Sequence, residues 1–357
     1  MNLLFCGDIM PGGVLPYQQG YMDSQLADFM SSFDFRIGTL EAAIGTNIAF
    51  DADKMAGRQN IIYARDEDLF RIKEMGFDVV SLANNHVWDL GVEGLENTIK
   101  MLDANGIKHC GAGMCLDEAS RPAVINKEGK TIAIFAYCMV GSKYLGYVEE
   151  AKTDKAGINP LNINSVVLDI KRAKKMYDYV IVLPHWGREY HFDPLSNCVE
   201  MAKTIIKAGA DAVLGSHPHQ IQPTILYRGK PICFSMGNFL FPDFYMYPPR
   251  PIWYPSTTED LSKIADTYEY PYPIDTPLRR VWKKNSRYGC VVTISCELKR
   301  LSHKNFHVCL DDRNVLRLKE LDDEILAQLE SEREKVMRIS FRDIARRLKM
   351  KLVSIFK

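Results

Sequence analysis

The chain has 357 residues, 46% of them hydrophobic and 25% charged, enough for one large or two ordinary domains with a substantial core. Lys plus Arg and Asp plus Glu stand at 45 each, so no whole-chain charge favours nucleic acid, and any electrostatic preference must come from local patches. The 9 cysteines are odd in number, lack a C-x-x-C pair and sit mostly in apolar runs, which argues against a disulfide framework and for a reducing cytoplasm.

In chain order, "MNLLFCGD" reads as a first strand that reaches Asp8 too soon for a signal peptide. No later run approaches the length of a membrane span. The expectation is a cytoplasmic protein, soluble or peripheral on the inner membrane. "FRIGTLEA" is a second strand, and "FDVVSLANNH" a third after the helix-like "DEDLFRIKEMG". "VEGLENTIKMLDANG" is an amphipathic helix stopped by Gly106. "RPAVINKEGKTIAIFAYCM" reads as a hairpin turning near Glu128 and Gly129. "INSVVLDIKRAKKMYD" and "PLSNCVEMAKTIIKAG" are helices, each followed by a buried strand, "YVIVLPHW" and "ADAVLGSH". "IQPTILYRGKPICFSMGNFLF" closes the series as a hairpin near Arg228 and Gly229. Strand and helix alternating, with added hairpins, predict an α/β fold of sheet layers covered by helices.

From Pro242 to Tyr288 the chain is crowded with Tyr and Pro, which argues against helix or central strand. This insertion, residues 242–288, is either a loop packed by its own aromatics or a lid on a cleft. In a lid, Arg279 and Arg280 would be anion contacts. "YGCVVTISCELKR" and "NFHVCLDD" return to strand patterning, expected at a sheet edge. These divisions give a main domain over 1–312 and a basic helical tail over 313–357. In the tail, Met337, Phe341, Ile344, Leu348, Leu352 and Ile355 share one helical face, flanked by Arg338, Arg342, Arg346, Arg347, Lys349 and Lys351. It reads equally as a helix docked on the domain or a second subunit, or as one held to anionic lipid.

The chemistry collects where strands end. Asp8, Glu41, the run Asn84, Asn85 and His86, then His185, His217, His219 and Asn238 all follow apolar strands. In open α/β folds, ligands bind beyond the carboxyl ends of strands. On extended backbone His217 and His219 would face the same way. Mixed nitrogen and oxygen donors of this kind suit Mn, Fe or Zn, as one or two divalent ions. Each residue alone has an ordinary structural reading, but their joint placement points to a metal centre. Asp89 is placed to fix the His86 tautomer. Glu189 orients a ligand or a substrate amine, or is a surface charge. Asn238 caps the turn after Gly237 or touches substrate.

"GDIM", "TLEAAIG", "SLANNHVWDLG", "LPHWGREY", "GSHPHQIQP" and "FSMGNFLF" occur in the order and form of the capsule-synthesis CapA family. These are the poly-gamma-glutamate synthesis proteins, within the calcineurin-like metallophosphatase superfamily, and the resemblance covers roughly residues 2–241 and the closing strand at Cys290 to Leu298. It implies a metallophosphatase-like fold, two packed β-sheets flanked by helices around a dinuclear metal cleft. In it Asp8 resembles the first-strand ligand, Glu41 the bridging carboxylate and Asn85 the amide ligand. His185 and His217 resemble ligands of the second metal, His219 one of the first, and His86 the histidine that works on substrate. Many relatives in the superfamily have Asp-x-His on the first strand, but here the third position is Met10, a poor ligand for Mn or Zn. The first metal therefore lacks an imidazole, which makes a single ion at Asn85, His185 and His217 a serious alternative.

Two functions follow from the resemblance. One is a metal-dependent hydrolase or transferase acting on an anionic polymer or a phosphoester in capsule biosynthesis, with His86 and Asp89 catalytic and Asn84, Glu189, Asn238, Arg279 and Arg280 facing substrate. The other is a non-catalytic, polymer-binding subunit of a membrane-associated synthesis complex, with the C-terminal helix as its peripheral membrane contact.

Overall fold

The computed structural model describes residues 1–48, 61–141, 147–247, 252–269, 276–297 and 300–338. Fourteen strands of two sheets follow one another in blocks. The first block is β1 (Asn2–Ile9), β2 (Phe35–Leu40), β3 (Val79–Ser81) and β4 (Lys108–Cys110). The second is β5 (Ala123–Lys127), β6 (Lys130–Cys138), β7 (Tyr179–His185), β8 (Ala212–Leu214), β9 (Thr224–Tyr227) and β10 (Lys230–Cys233). The third is β11 (Asn238–Leu240), β12 (Tyr288–Glu297), β13 (Arg300–Leu310) and β14 (Leu316–Leu318).

The first and third blocks form one sheet in the order β14-β13-β12-β1-β2-β3-β4, with β11 also paired to β1. The middle block forms the other, in the order β9-β10-β8-β7-β6-β5. At the centre of each sheet the strands run parallel, β1 to β4 in one and β6-β7-β8-β10 in the other. Most such connections are crossovers through a helix: α1 (Ser24–Ser31), α2 (Phe70–Glu74), α3 (Gly91–Ala104), and, after the short α4 (Leu116–Ala119) that leads from one sheet to the other, α5 (Ile163–Ala173) and α6 (Ser196–Ala208). Local chemistry sets their ends: Asp23 accepts from Leu26 N at 2.9 Å to cap α1, and Gly209 takes a φ of 125° just beyond α6.

Strand alternation decides the layers. On β6, Ile132, Ile134, Ala136 and Cys138 enter the core between the sheets, while Ala133, Phe135 and Tyr137 face the other way. On β7, Ile181 and Leu183 separate from Val180 and Val182 in the same manner. The outward set packs on Val166 and Ile170 of α5 and on Val199, Ala202 and Ile206 of α6. Each such fully buried aliphatic contributes about 1.5–3 kcal/mol. Both hairpins turn where expected, with Glu128 and Arg228 at φ 54° and Gly129 and Gly229 at φ 74°, the conformation of a two-residue hairpin turn.

Three expectations need correction. The strand "YGCVVTISCELKR" is not at an edge: β12 pairs with β1 from Asn2 to Phe5, and the edge is β14. The main domain does not end at 312, because β14 pairs with β13; three residues are too few for strand periodicity to show. A helix over 323–338 follows, with Ile325 and Leu329 buried in the large core cluster that includes the first sheet and Val336 in the cluster that includes α5 and α6. The rest of the expected amphipathic face, from Phe341 onward, lies outside the described residues. Among the described residues no helix is long and apolar enough to cross a membrane.

The third correction is the Tyr/Pro insertion. Its described parts form a four-stranded sheet of Phe244–Met246, Ile252–Trp253, Ala265–Thr267 and Leu278–Arg280. Phe241, Phe244, Met246, Ile252 and Trp282 form one apolar cluster with Met10 and Ala42 at the ends of β1 and β2. Asp243, 1% exposed, clamps the base of the insertion. Its carboxylate accepts from Arg287 Nη2 at 3.0 and 3.2 Å, from Asn314 Nδ2 at 3.1 Å and from Trp282 N at 3.1 Å. Removing one member of such a pair strands the other charge. Asp243→Ala should lose about 3 kcal/mol or more of unfolding free energy in urea. A loss below about 1 kcal/mol would show that the clamp holds nothing together.

Candidate metal centre

β1 and β11 approach so closely that a Cβ on Gly7 would lie 1.9 Å from the Gly237 carbonyl. Glycine at 7 therefore lets Asp8 pair directly with Asn238 across parallel backbone. At the end of β2, Glu41 N donates to Ile9 O at 2.8 Å, which fixes Glu41 beside the tip of β1. His185 is the last residue of β7. Beyond β8, His217 and His219 adopt φ of 99° and 52°. This differs from the extended backbone expected there: a left-handed turn through Pro218 brings the two rings together. Such φ at a non-glycine residue costs on the order of 1–3 kcal/mol and needs surroundings that impose it.

The side chains converge on Glu41. His185 Nε2 lies 2.8 Å from Asn85 Oδ1, 3.1 Å from His217 Nδ1 and 3.3 Å from Glu41 Oε1. His219 Nε2 lies 3.7 Å from the same Glu41 oxygen. Two groups of donors result, Glu41, His185 and His217 in one and Asp8, Glu41 and His219 in the other, each with its donor atoms within 4.8 Å of one another. Asp8 and Glu41 are 0% exposed. Among the described residues, Asp8 Oδ1 and both Glu41 oxygens have no hydrogen-bond donor.

Electrostatics agrees with the geometry. Burial, then the neighbouring Glu41 charge, push the Asp8 carboxyl well above its ordinary range. Burial raises Glu41 to about 7. Burial, reinforced by His219 and His86, holds the His185 ring well below its usual value. Two buried carboxylates beside a His185 ring that resists protonation call for positive charge, and a divalent cation supplies it. Donors separated by about 3 Å also match the shell of a first-row ion with bonds of about 2.1 Å. The residues fit a metal.

A supporting ring orients the donors. Ser216 Oγ lies 2.8 Å from His185 Nδ1. Asn238 Oδ1 lies 2.9 Å from His219 Nδ1, while its Nδ2 donates to Ser286 O at 3.0 Å. His219 thus keeps Nε2 toward Glu41, and Asn238 is a positioning residue, not the substrate contact or turn cap expected. Asn84 is also corrected. It is 0% exposed; its Nδ2 donates to Leu40 O at 2.8 Å and its Oδ1 accepts from His86 N and Val87 N at 3.0 and 2.9 Å. It shapes the loop that carries Asn85 and His86. Asp89 Oδ2 lies 2.7 Å from His86 Nδ1 and accepts from Ile62 N at 2.6 Å.

Glu189 is half-buried and its charge acts on both Glu41 and His185, so it belongs to the cleft more than to the outer surface. Arg279 is held by Asp266 in a two-point pair at 2.7 Å, which withdraws it from the expected anion contact. Arg280 is buried, donates to Val281 O and stacks over Trp282 at 5.2 Å, one layer behind the centre. The residues missed in the sequence are aromatic. Trp282 and Phe241 pack on His219 at 5.1 and 5.3 Å, and Tyr190 stacks on it at 6.1 Å. Tyr190 stood in the "LPHWGREY" motif, whereas Trp282 carried no signal within the insertion.

The family model described as Bacterial capsule synthesis protein PGA_cap matches residues 2–243. The chain is 31% identical over 250 residues to the PGA biosynthesis protein CapA of Bacillus subtilis, covering 68% of this chain and 63% of that one. It is 29% identical over 252 residues to the capsule biosynthesis protein CapA of Bacillus anthracis, covering 68% and 60%. It therefore spans about six-tenths of the length of these relatives. The calcineurin-like phosphoesterase YfkN from Bacillus subtilis aligns at 12% identity with a TM-score of 0.46, over 95% of this chain and 98% of that one.

If Asn84 is structural, Asn84→Ala leaves three buried backbone groups without partners. The expected loss is about 2 kcal/mol or more in denaturant unfolding. A change within 0.5 kcal/mol, about the scatter of surface substitutions, would return Asn84 to the list of substrate contacts.

Proposed function

The chain belongs to the bacterial capsule synthesis family PGA_cap, and on that premise we propose that it is a metal-dependent hydrolase or transferase acting on an anionic polymer or a phosphoester in capsule or poly-gamma-glutamate biosynthesis. The observation that carries this reading is the pair of donor groups sharing buried Glu41, with the His86–Asp89 pair beside them. Asn85, His185 and His217 would hold one divalent ion of the Mn, Fe or Zn type, and Asp8 and His219 a second, with Glu41 between. Bound ions supply Lewis acidity and lower the pKa of a shared water.

The protein's own groups do the rest. Asp89 holds the His86 ring through Nδ1, which leaves Nε2 to exchange a proton with a leaving oxygen. The ring wall of Tyr190, Trp282 and Phe241 limits water on one side of the cleft. Glu189 adds negative charge at the rim and would discriminate among substrates by repelling the most anionic or engaging an amine.

The second reading, a polymer-binding subunit without turnover, is favoured by Met10. This residue is buried among apolar side chains and leaves the first donor group short of a ligand. A probable polyglutamine synthesis accessory protein of Mycobacterium tuberculosis is 31% identical over 167 residues, 45% of this chain and 44% of that one. Either role is proposed for the cytoplasmic side, free or at the inner membrane face.

Metal analysis of purified protein with an Mn²⁺-supplemented screen of phosphoesters and poly-gamma-glutamate separates the two. The enzyme reading expects His86→Ala to lower turnover roughly 10²–10⁴-fold with metal content unchanged, and His217→Ala to lose metal and turnover together. Polymer binding with neither metal nor turnover would sink it.

A further inference from the structure

The two donor groups share Glu41 but are not equally furnished. Around His185 Nε2, the Asn85, His217 and Glu41 donors stand at 2.8, 3.1 and 3.3 Å. Four donors from four separate strand tips are already drawn together there, and the strained φ of 99° at His217 keeps its ring in place. The Asp8, Glu41 and His219 group offers three. Its spacing is looser, with His219 Nε2 3.7 Å from Glu41 Oε1. Asp8 Oδ2 is also engaged, accepting from His217 N at 3.1 Å.

Among the described residues, the hard oxygens beside the smaller group are already engaged, Asn238 Oδ1 at 2.9 Å from His219 Nδ1 and Ser216 Oγ at 2.8 Å from His185 Nδ1. Met10 is 0% exposed, packs in one cluster with Phe241 and Trp282, and its sulfur accepts from Gly12 N at 3.2 Å. Those two rings wall His219 at 5.3 and 5.1 Å. Aromatic faces and a thioether offer no donor suited to Mn²⁺.

We propose that the Asn85–His185–His217–Glu41 group binds one divalent ion tightly, while the Asp8–Glu41–His219 group binds a second, exchangeable ion whose occupancy follows the free cation concentration. The inference rests on the metal reading above and adds a regulatory consequence to it. A cleft of this kind carries one resident ion and is completed only when free cation is plentiful. Loss of an outer supporting partner alone costs 10–100-fold in metal affinity. A missing direct donor should therefore separate the two affinities by about 100-fold or more.

The test is a binding titration of the full chain, stripped with a chelator and titrated with Mn²⁺ alone, with free ion followed by its paramagnetic resonance. The expected result is one tight and one weak equivalent. His219→Ala should remove the weak class and keep the tight one, while His185→Ala should remove the tight class. Met10→His should tighten the weak class at least about tenfold, with an unfolding midpoint confirming that the variant folds; if it does not fold, His219→Ala decides. Two equivalent sites, or loss of the tight class in His219→Ala, would overturn the asymmetry and leave the metal reading standing. No binding at all would overturn the metal reading itself.

Discussion

Burying Asp8 beside Glu41 is the constraint on which the rest of the site depends. Neither carboxylate has measurable exposure, and three of their four oxygens have no hydrogen-bond donor among the described residues. An arrangement of this kind is unfavourable unless protons or cations neutralise it. The nearest imidazole to Glu41 does not supply the charge, since burial holds His185 well below its usual value. The site therefore stores an unmet demand for positive charge, and its donors are spaced to receive it as metal.

The sheets are arranged to meet that demand. Parallel strands at the centre of each sheet end on the same side, so β1, β2, β3, β7 and β8 deliver their following residues to one place. Close backbone approach tightens the arrangement. Gly7 against Gly237 and Gly215 against Phe234 O leave no room for a Cβ. The left-handed turn at His217 and His219 is the local strain that results, and the contacts of both rings hold it. The insertion completes the enclosure, because its clamp at Asp243 seats Phe241 and Trp282 against His219.

This architecture also assigns roles to residues whose type alone was ambiguous. Asn84, Asn85 and Asn238 all stand near strand tips, yet only Asn85 points its oxygen among the donors. Asn84 is held by the backbone of its own loop and by Leu40. Asn238 is held between His219 and Ser286. An amide that already satisfies buried neighbours has little left for substrate, and its contribution is to hold the groups that act.

The alternation of apolar runs and helical periodicity was enough to predict layered α/β architecture, both hairpin turns and the strand tips that carry chemistry. Period-two and period-3.6 burial are written directly in residue order. The family motifs pointed to the residues that the fold gathers at the strand tips, with Glu41 common to both groups of donors. What only the tertiary structure decided depends on contacts between residues far apart in the chain. Examples are the seating of the insertion on Met10, the aromatic wall of Trp282 and Phe241, the interior position of β12, and the withdrawal of Arg279 to Asp266. The same holds for His217 and His219, whose proximity in sequence suggested extended backbone. Their conformation is set by contacts with His185, Asp8 and Asn238, which no local propensity encodes.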